Sequence, residues 1–204
     1  QAMKILKMKK EFNIIADLLP NNTRVLDVGC GDGTLMKFLS KEKNIDVRGL
    51  ELEEENVKLC ISKGLSVIEG NAETELGQFP DKSFDFVILS QTLQAFYNPV
   101  TVLEHLLRIG QSSIVSIPNF GYWKVRTSLL FYGRMPKTNS LPYKWYNTPN
   151  LHMCTIKDFY ELCREKNINM EKIVGINNDK TSMINNNNIK IKNLFSEVGI
   201  FLIS

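Results

Sequence analysis

Between Val25 and Leu35 the chain reads Val25-Leu26-Asp27-Val28-Gly29-Cys30-Gly31-Asp32-Gly33-Thr34-Leu35. A short apolar run that breaks on alternating glycines, and then resumes with helical spacing, reads as a buried strand, a tight turn and a helix start. Glycine tolerates positive φ and lets a ligand come close to the backbone. Free N–H groups at a helix start, and the positive end of its dipole, favour anionic or polar ligand groups. Twenty residues beyond Gly31, after the strand-like Asp46-Val47-Arg48-Gly49-Leu50, stands Glu51. In doubly wound folds an acid at that place takes the hydroxyls of a ribose. The segment therefore predicts an α/β chain with a ribose-bearing ligand at the end of its first strand.

The glycine spacing narrows the ligand. Gly29, Gly31 and Gly33 form G-x-G-x-G rather than the dinucleotide pattern G-x-G-x-x-G, and Asp27 precedes them. This resembles the first motif of the class I S-adenosylmethionine (SAM) methyltransferases. The resemblance implies SAM or S-adenosylhomocysteine as cofactor, with Asp27 orienting the loop and the amino-acid end of the ligand. Glu51 would hold the ribose, with Leu52 next to it. Asn71 stands where that family usually has an acid for the adenine amino group; its amide oxygen can accept the same bond, with Ala72 against the ring. Ser90 and Gln91 would bond the methionine end and Leu93 would pack on it, an ordinary strand-end turn being the plain alternative for each. Cys30, between two loop glycines, lies within reach of the cofactor.

At 204 residues the chain suits one domain, residues 1–204, with length enough for a core. Strand candidates are Arg24–Val28, Asp46–Leu50, Ser66–Glu69, Phe84–Ser90 and Ser113–Ile117. The helical patterns are Lys4–Leu19, Leu35–Ser40, Glu54–Lys63 and Val100–Leu107. Such alternation predicts a doubly wound, Rossmann-like, mostly parallel sheet with ligands at the carboxyl ends of its strands. Glu171–Ile176 and Val198–Ile203 supply the last strands, and the methyltransferase resemblance makes the finish antiparallel. Asn177–Asn188 is polar enough to read as a loop between them. Gln1-Ala2, ahead of Met3, is left out of this reading. Cys30, Cys60, Cys154 and Cys163 show no C-x-x-C pairing and read as buried reduced thiols, so neither a metal nor a disulfide is expected. No apolar run reaches membrane-span length and no signal peptide is evident, so the expected compartment is the cytoplasm.

One segment breaks the rhythm. From His105 to Lys157 there is no Asp or Glu, while Arg108, Lys124, Arg126, Arg134, Lys137, Lys144 and Lys157 fall within it together with both tryptophans. Residues 118–155 form a basic aromatic excursion after the fifth strand, with a helix over Tyr122–Tyr132 and proline-rich extended chain beyond it. It reads as a lid or a partner surface, presenting Trp123, Arg126, Arg134, Tyr143, Trp145 and Tyr146; a packed aromatic subdomain is the bland alternative. With a net charge of only +3 and no nucleic-acid motif, nucleic acid is not an expected partner. His152, just ahead of a helix start at Thr155 with Asp158, is a candidate general base, or a loop histidine bonded to a carbonyl.

Ile88-Leu89-Ser90-Gln91-Thr92-Leu93-Gln94, Val115-Ser116-Ile117-Pro118-Asn119-Phe120-Gly121 and the run from Gly133-Arg134-Met135-Pro136-Lys137 to Pro149-Asn150-Leu151-His152 resemble the MetW family of methionine biosynthesis proteins. That resemblance, which covers roughly Val25 to Ile203, implies a partner: homoserine O-acyltransferase of the MetX type, whose activity such proteins support. It leaves two functions open, a SAM-binding partner of that enzyme or a methyltransferase acting on a small acceptor.

Overall fold

Arg24–Val28 forms β1 at the centre of the sheet because its apolar residues serve both faces. Val25 packs in one layer, while Leu26 and Val28 pack in the other, and all three are fully buried. The computed structural model describes residues 2–138, 140–178 and 180–204, with side chains from Lys10 onward; Gln1, Asn139 and Asp179 lie outside the described residues. Ahead of β1 runs α1 (Ala2–Leu18), and after it come α2 (Thr34–Lys43), β2 (Asp46–Glu51), α3 (Glu54–Ser62), β3 (Ser66–Glu69) and the short α4 (Ala72–Glu75). Then follow β4 (Phe84–Ser90), α5 (Pro99–Ile109), β5 (Gly110–Pro118), α6 (Trp123–Tyr132) and α7 (Ile156–Glu165). The chain closes with β6 (Met170–Asn177), β7 (Lys180–Met183), α8 (Ile189–Phe195) and β8 (Val198–Ile203).

The eight strands make one sheet in the order β3-β2-β1-β4-β5-β8-β6-β7. The first five are parallel, and β8 enters antiparallel between β5 and β6. Helices cover both faces. On one, Phe159 of α7 meets Phe201 of β8 edge to face at 4.7 Å, beside Leu103 and Leu106 of α5. On the other, Ile15, Ala16 and Leu19 pack with Leu35, Met36 and Leu39 of α2. Each such aliphatic side chain removed from water contributes about 1.5–3 kcal/mol, so this packing fixes where α1 lies. The strand order reverses between β1 and β4, which opens a crevice outside their carboxyl ends.

One expectation fails. Asn177–Asn188 is not all loop: Lys180–Met183 forms β7, paired antiparallel with Val174–Asn177. An edge strand needs a partner on one side only and no apolar face of its own, so backbone pairing suffices for a polar segment. Asn178 takes a left-handed φ of 48° at the turn, a conformation asparagine tolerates. Elsewhere the strands contain their predicted ranges, and β5 is longer at both ends.

The excursion leaves the sheet after β5 and returns at α7, and Asn119 clamps both roots. Its Nδ2 donates to the carbonyls of Asn193 (2.6 Å) and Ser196 (2.7 Å), while its Oδ1 accepts from Gly121 N and Ile156 N. Tyr122, Val125 and Leu141 form a small core of the excursion's own, and the Thr155–Asp158 capping box starts α7 as the sequence implies.

Candidate functional site

At the crevice the loop 29–33 turns through three glycines in left-handed conformations, with Gly31 at φ 57° and Gly33 at φ 74°. A side chain on Gly33 would run into Cys60 and Leu65, whereas one on Gly31 would meet nothing within 4 Å. Gly33 is thus required for packing, and Gly31 keeps a surface open. Glu51 braces the loop from behind, its Oε2 accepting from Gly31 N at 2.7 Å and its Oε1 from Glu53 N at 2.9 Å. Asp32 anchors the start of α2 by accepting from the Thr34 backbone and hydroxyl, and Lys63 Nζ bonds it at 2.9 Å. Burial alone would raise the Asp32 carboxyl; the bonds from Thr34 and Lys63 hold it below its ordinary range.

Below the loop lies Asp27, only 2% exposed. Burial, and then the charge of Glu51, lifts its carboxyl to about 7 from an ordinary 3.8. Burial likewise pushes the Cys30 thiol well up. Asp27 and the loop form one wall of a cavity of about 370 Å³. Ser90 and Gln91 at the end of the neighbouring β4 line it as well, and Ser140, Pro142, Tyr143, Pro149 and Asn150 of the excursion roof it. A concave space of this size suits a small ligand.

Several expected site residues therefore converge, namely Asp27, Gly29, Cys30, Gly31, Ser90 and Gln91. Others, Glu51 among them, do not line it. Leu52 is exposed, Leu93 is buried in the core, and Gly33 and Ala72 support the backbone around them. Asn71 caps α4, its Oδ1 accepting from Glu73 N at 2.9 Å. His152 is exposed and does not line this cavity, and its backbone N–H donates to Gln94 O at 3.0 Å.

A second, more apolar cavity of about 310 Å³ lies within the excursion, between Phe120, Met135, Leu141, Trp145 and Met153. Tyr143 and Asn150 line both cavities. Tyr146 stands edge-on to Trp145 at 5.6 Å, and Lys144 Nζ lies 5.4 Å from its ring. Trp123 is partly exposed beside Lys124, Arg134 is exposed, and Arg126 Nε donates to Gly121 O.

Glu11 and Gln94 are among the cavity residues that escaped the sequence reading. Glu11 on α1 is 2% exposed and lines the first cavity. It lies one and two helical steps from buried Ile15 and Leu19, so an acid on the apolar face was the available signal. Gln94, also buried, donates through Nε2 to Gln91 O and to Asn150 Oδ1, and its carbonyl accepts from Leu151 N and His152 N. It ties the roof to the floor. Nothing local in the sequence marks it.

Known proteins share this fold. A SAM-dependent methyltransferase of Thermotoga maritima superposes with TM-score 0.71 at 18% identity, over 100% of this chain and 91% of that one. Another from Archaeoglobus fulgidus gives 0.69 at 18%, over 96% and 92%. At such identities the likeness concerns the fold, that of the class I methyltransferases. The bifunctional methionine biosynthesis protein MetXA/MetW of Rhodopirellula baltica is 34% identical over 169 residues, which is 78% of this chain and 27% of that protein. A demethylmenaquinone methyltransferase of Listeria monocytogenes is 30% identical over 151 residues, 67% of this chain and 58% of that one. The chain thus spans less than two thirds of the curated relatives it matches. The family model described as methionine biosynthesis protein MetW matches residues 9–203, and with nearly the whole chain covered, this protein belongs to the MetW family.

Proposed function

We propose that the chain is a SAM-binding protein of methionine biosynthesis that supports a homoserine O-acyltransferase of the MetX type. The observation that carries this reading is the roof of the first cavity. Tyr143 and Asn150 face the ligand space on one side and the aromatic cavity of the excursion on the other. A ligand that seats under them biases the excursion toward one arrangement, and a partner with different affinity for the two arrangements then responds to the ligand. The exposed Trp123, Tyr143, Trp145 and Tyr146, with Arg126 and Arg134, are the surface offered. The Rhodopirellula relative, which carries both names on one polypeptide, supports the pairing. SAM as the ligand rests on the glycine loop, on buried Asp27 and on Glu51 behind the loop. The test is to co-purify the chain with the acyltransferase and assay acyl transfer with and without SAM. A stable complex whose rate or affinity changes with SAM is expected; a lack of association, or of any response to SAM, refutes the reading.

The adjoining apolar cavity favours a second reading, methyl transfer to a small acceptor seated there. Such a displacement needs chiefly positioning and exclusion of water, which the roof supplies. Absence of S-adenosylhomocysteine formation with apolar metabolites that bind the cavity counts against it.

A further inference from the structure

The first cavity holds a buried carboxylate that neither the glycine loop nor the family resemblance accounts for. Glu11 reaches from α1 across the ends of β4 and β5, where side chains of both strands and of Gln91 donate to it. Ser116 Oγ bonds Oε1 at 2.6 Å, Ser90 Oγ bonds the same oxygen at 3.2 Å, and Gln91 Nε2 bonds Oε2 at 2.5 Å. Each of these partners has a proton to give, so the arrangement suits an ionised carboxylate. Gln91 is held there in a left-handed conformation, φ 51°, which is strained for a side chain of that size and is a mark of functional sites. Next to it, the buried Gln94 Oε1 has no hydrogen-bond partner among the described residues. Burying a carboxylate and orphaning an amide oxygen are both costly. Both occur at one end of one cavity, and both present negative charge or a lone pair to whatever fills it.

Asp27 supplies another carboxylate to the lining of the same cavity. If the ligand's ammonium lies at Asp27, the second acid has to meet a different group. SAM carries a second positive charge, the sulfonium, a short carbon chain away from its ammonium, and S-adenosylhomocysteine has lost it. We propose that Glu11, with Gln94, is a specificity-determining residue that selects the sulfonium cation over the neutral thioether. The inference rests on the reading that an S-adenosyl ligand occupies this cavity. It also deepens that reading: a protein that reports SAM to a biosynthetic enzyme must ignore the spent form, and discrimination by charge at the sulfur achieves this.

Calorimetry on the full chain tests the idea with three ligands: SAM, S-adenosylhomocysteine, and sinefungin, in which a protonated amine replaces the sulfonium. The wild-type chain should bind SAM and sinefungin at least about tenfold more tightly than S-adenosylhomocysteine. In Glu11→Gln, a near-isosteric change, the three affinities should fall within about threefold of one another, chiefly through loss of the two cations. Ser116→Ala, which removes one bond but keeps the charge, should preserve the preference. Should Glu11→Gln fail to fold, the ligand series on the wild-type chain still decides the charge preference. Equal wild-type affinity for SAM and S-adenosylhomocysteine overturns the proposal, as does a Glu11→Gln variant that weakens all three ligands alike. Failure of the wild-type chain to bind any of the three removes the underlying reading instead, so the two failures are distinguishable.

Discussion

Raising the pH from about 5.5 to about 7 should tighten SAM binding about 15-fold, because a proton on Asp27 competes with the ligand's ammonium. Burial and the charge of Glu51 hold that carboxyl at about 7, and an ammonium brought against it favours the ionised form. With such a carboxyl nearly every empty site carries the proton at about pH 5.5 and about half do at about pH 7. Binding should therefore release close to one proton per ligand at the lower pH and about half a proton at the higher. Titration calorimetry in paired buffers of different ionisation enthalpy measures both quantities. The same residue shapes the stability of the ligand-free fold. An unfolded chain gives up this proton near 3.8 and the folded chain near 7. In between, the folded state is the one that holds it, so stability falls as pH rises through this window and stays lower above it. The shift of roughly three units corresponds to about 4 kcal/mol at its limit. Asp27→Asn should flatten both profiles across this window, since it removes the carboxyl that titrates there. Wild-type affinity that ignores pH across this interval, or an unchanged slope in Asp27→Asn, refutes the role given to Asp27.

Gly31→Ala and Gly33→Ala should separate ligand approach from packing. Both incur about 1–2 kcal/mol of left-handed strain, but only the second forces a Cβ against Cys60 and Leu65. Urea denaturation should rank Gly33→Ala lower in stability by a further 1–3 kcal/mol or so, while Gly31→Ala loses ligand affinity foremost; the opposite order contradicts the loop assignment. Asn119→Ala leaves two carbonyls and two N–H groups without their side-chain partner. It should cost about 2–4 kcal/mol by the same measurement, and a loss below about 1 kcal/mol means that Asn119 does not clamp the excursion. Burial holds the thiol of the fully buried Cys163 up at about 12. At about pH 8 an aromatic disulfide reagent should therefore label it only as fast as the chain opens, and its immediate labelling in the folded protein contradicts this.

The sheet was legible wherever sequence pattern and burial report the same thing. Val87-Ile88-Leu89 and Ile114-Val115 are buried on both faces, and a continuous apolar run is what that burial requires. The strand Val198–Ile203 has its predicted limits for the same reason. At β7 the correspondence fails, since an edge strand is made by backbone pairing, to which hydropathy is blind. Lys180–Met183 carries no apolar pattern, yet it pairs residue by residue with β6. The excursion could be recognised by composition, but composition does not say what it covers. Tyr143 reaches the first cavity only because the chain folds back over the sheet.

The candidate site divides along the same line. Asp27, Gly31 and Glu51 are legible because strand, turn and helix follow one another in the chain, so spacing encodes their geometry. Glu11 and Gln94 act through partners far off in sequence. Glu11 meets Ser90 and Ser116 across 79 and 105 residues, and Gln94 meets Asn150 across 56. Such contacts exist only once α1 packs beside α2 and the excursion closes, both consequences of burial at other residues. The hydrogen bonds run on from Glu11 to Gln91, from Gln91 to Gln94 and from Gln94 to Asn150. They link the first helix, the end of the fourth strand and the roof. On the proposed function, a ligand that pulls on Glu11 or completes Gln94 acts through these bonds on the segment 150–152. The glycine loop would then select what enters the cavity, and this long-range chain would carry the response outward.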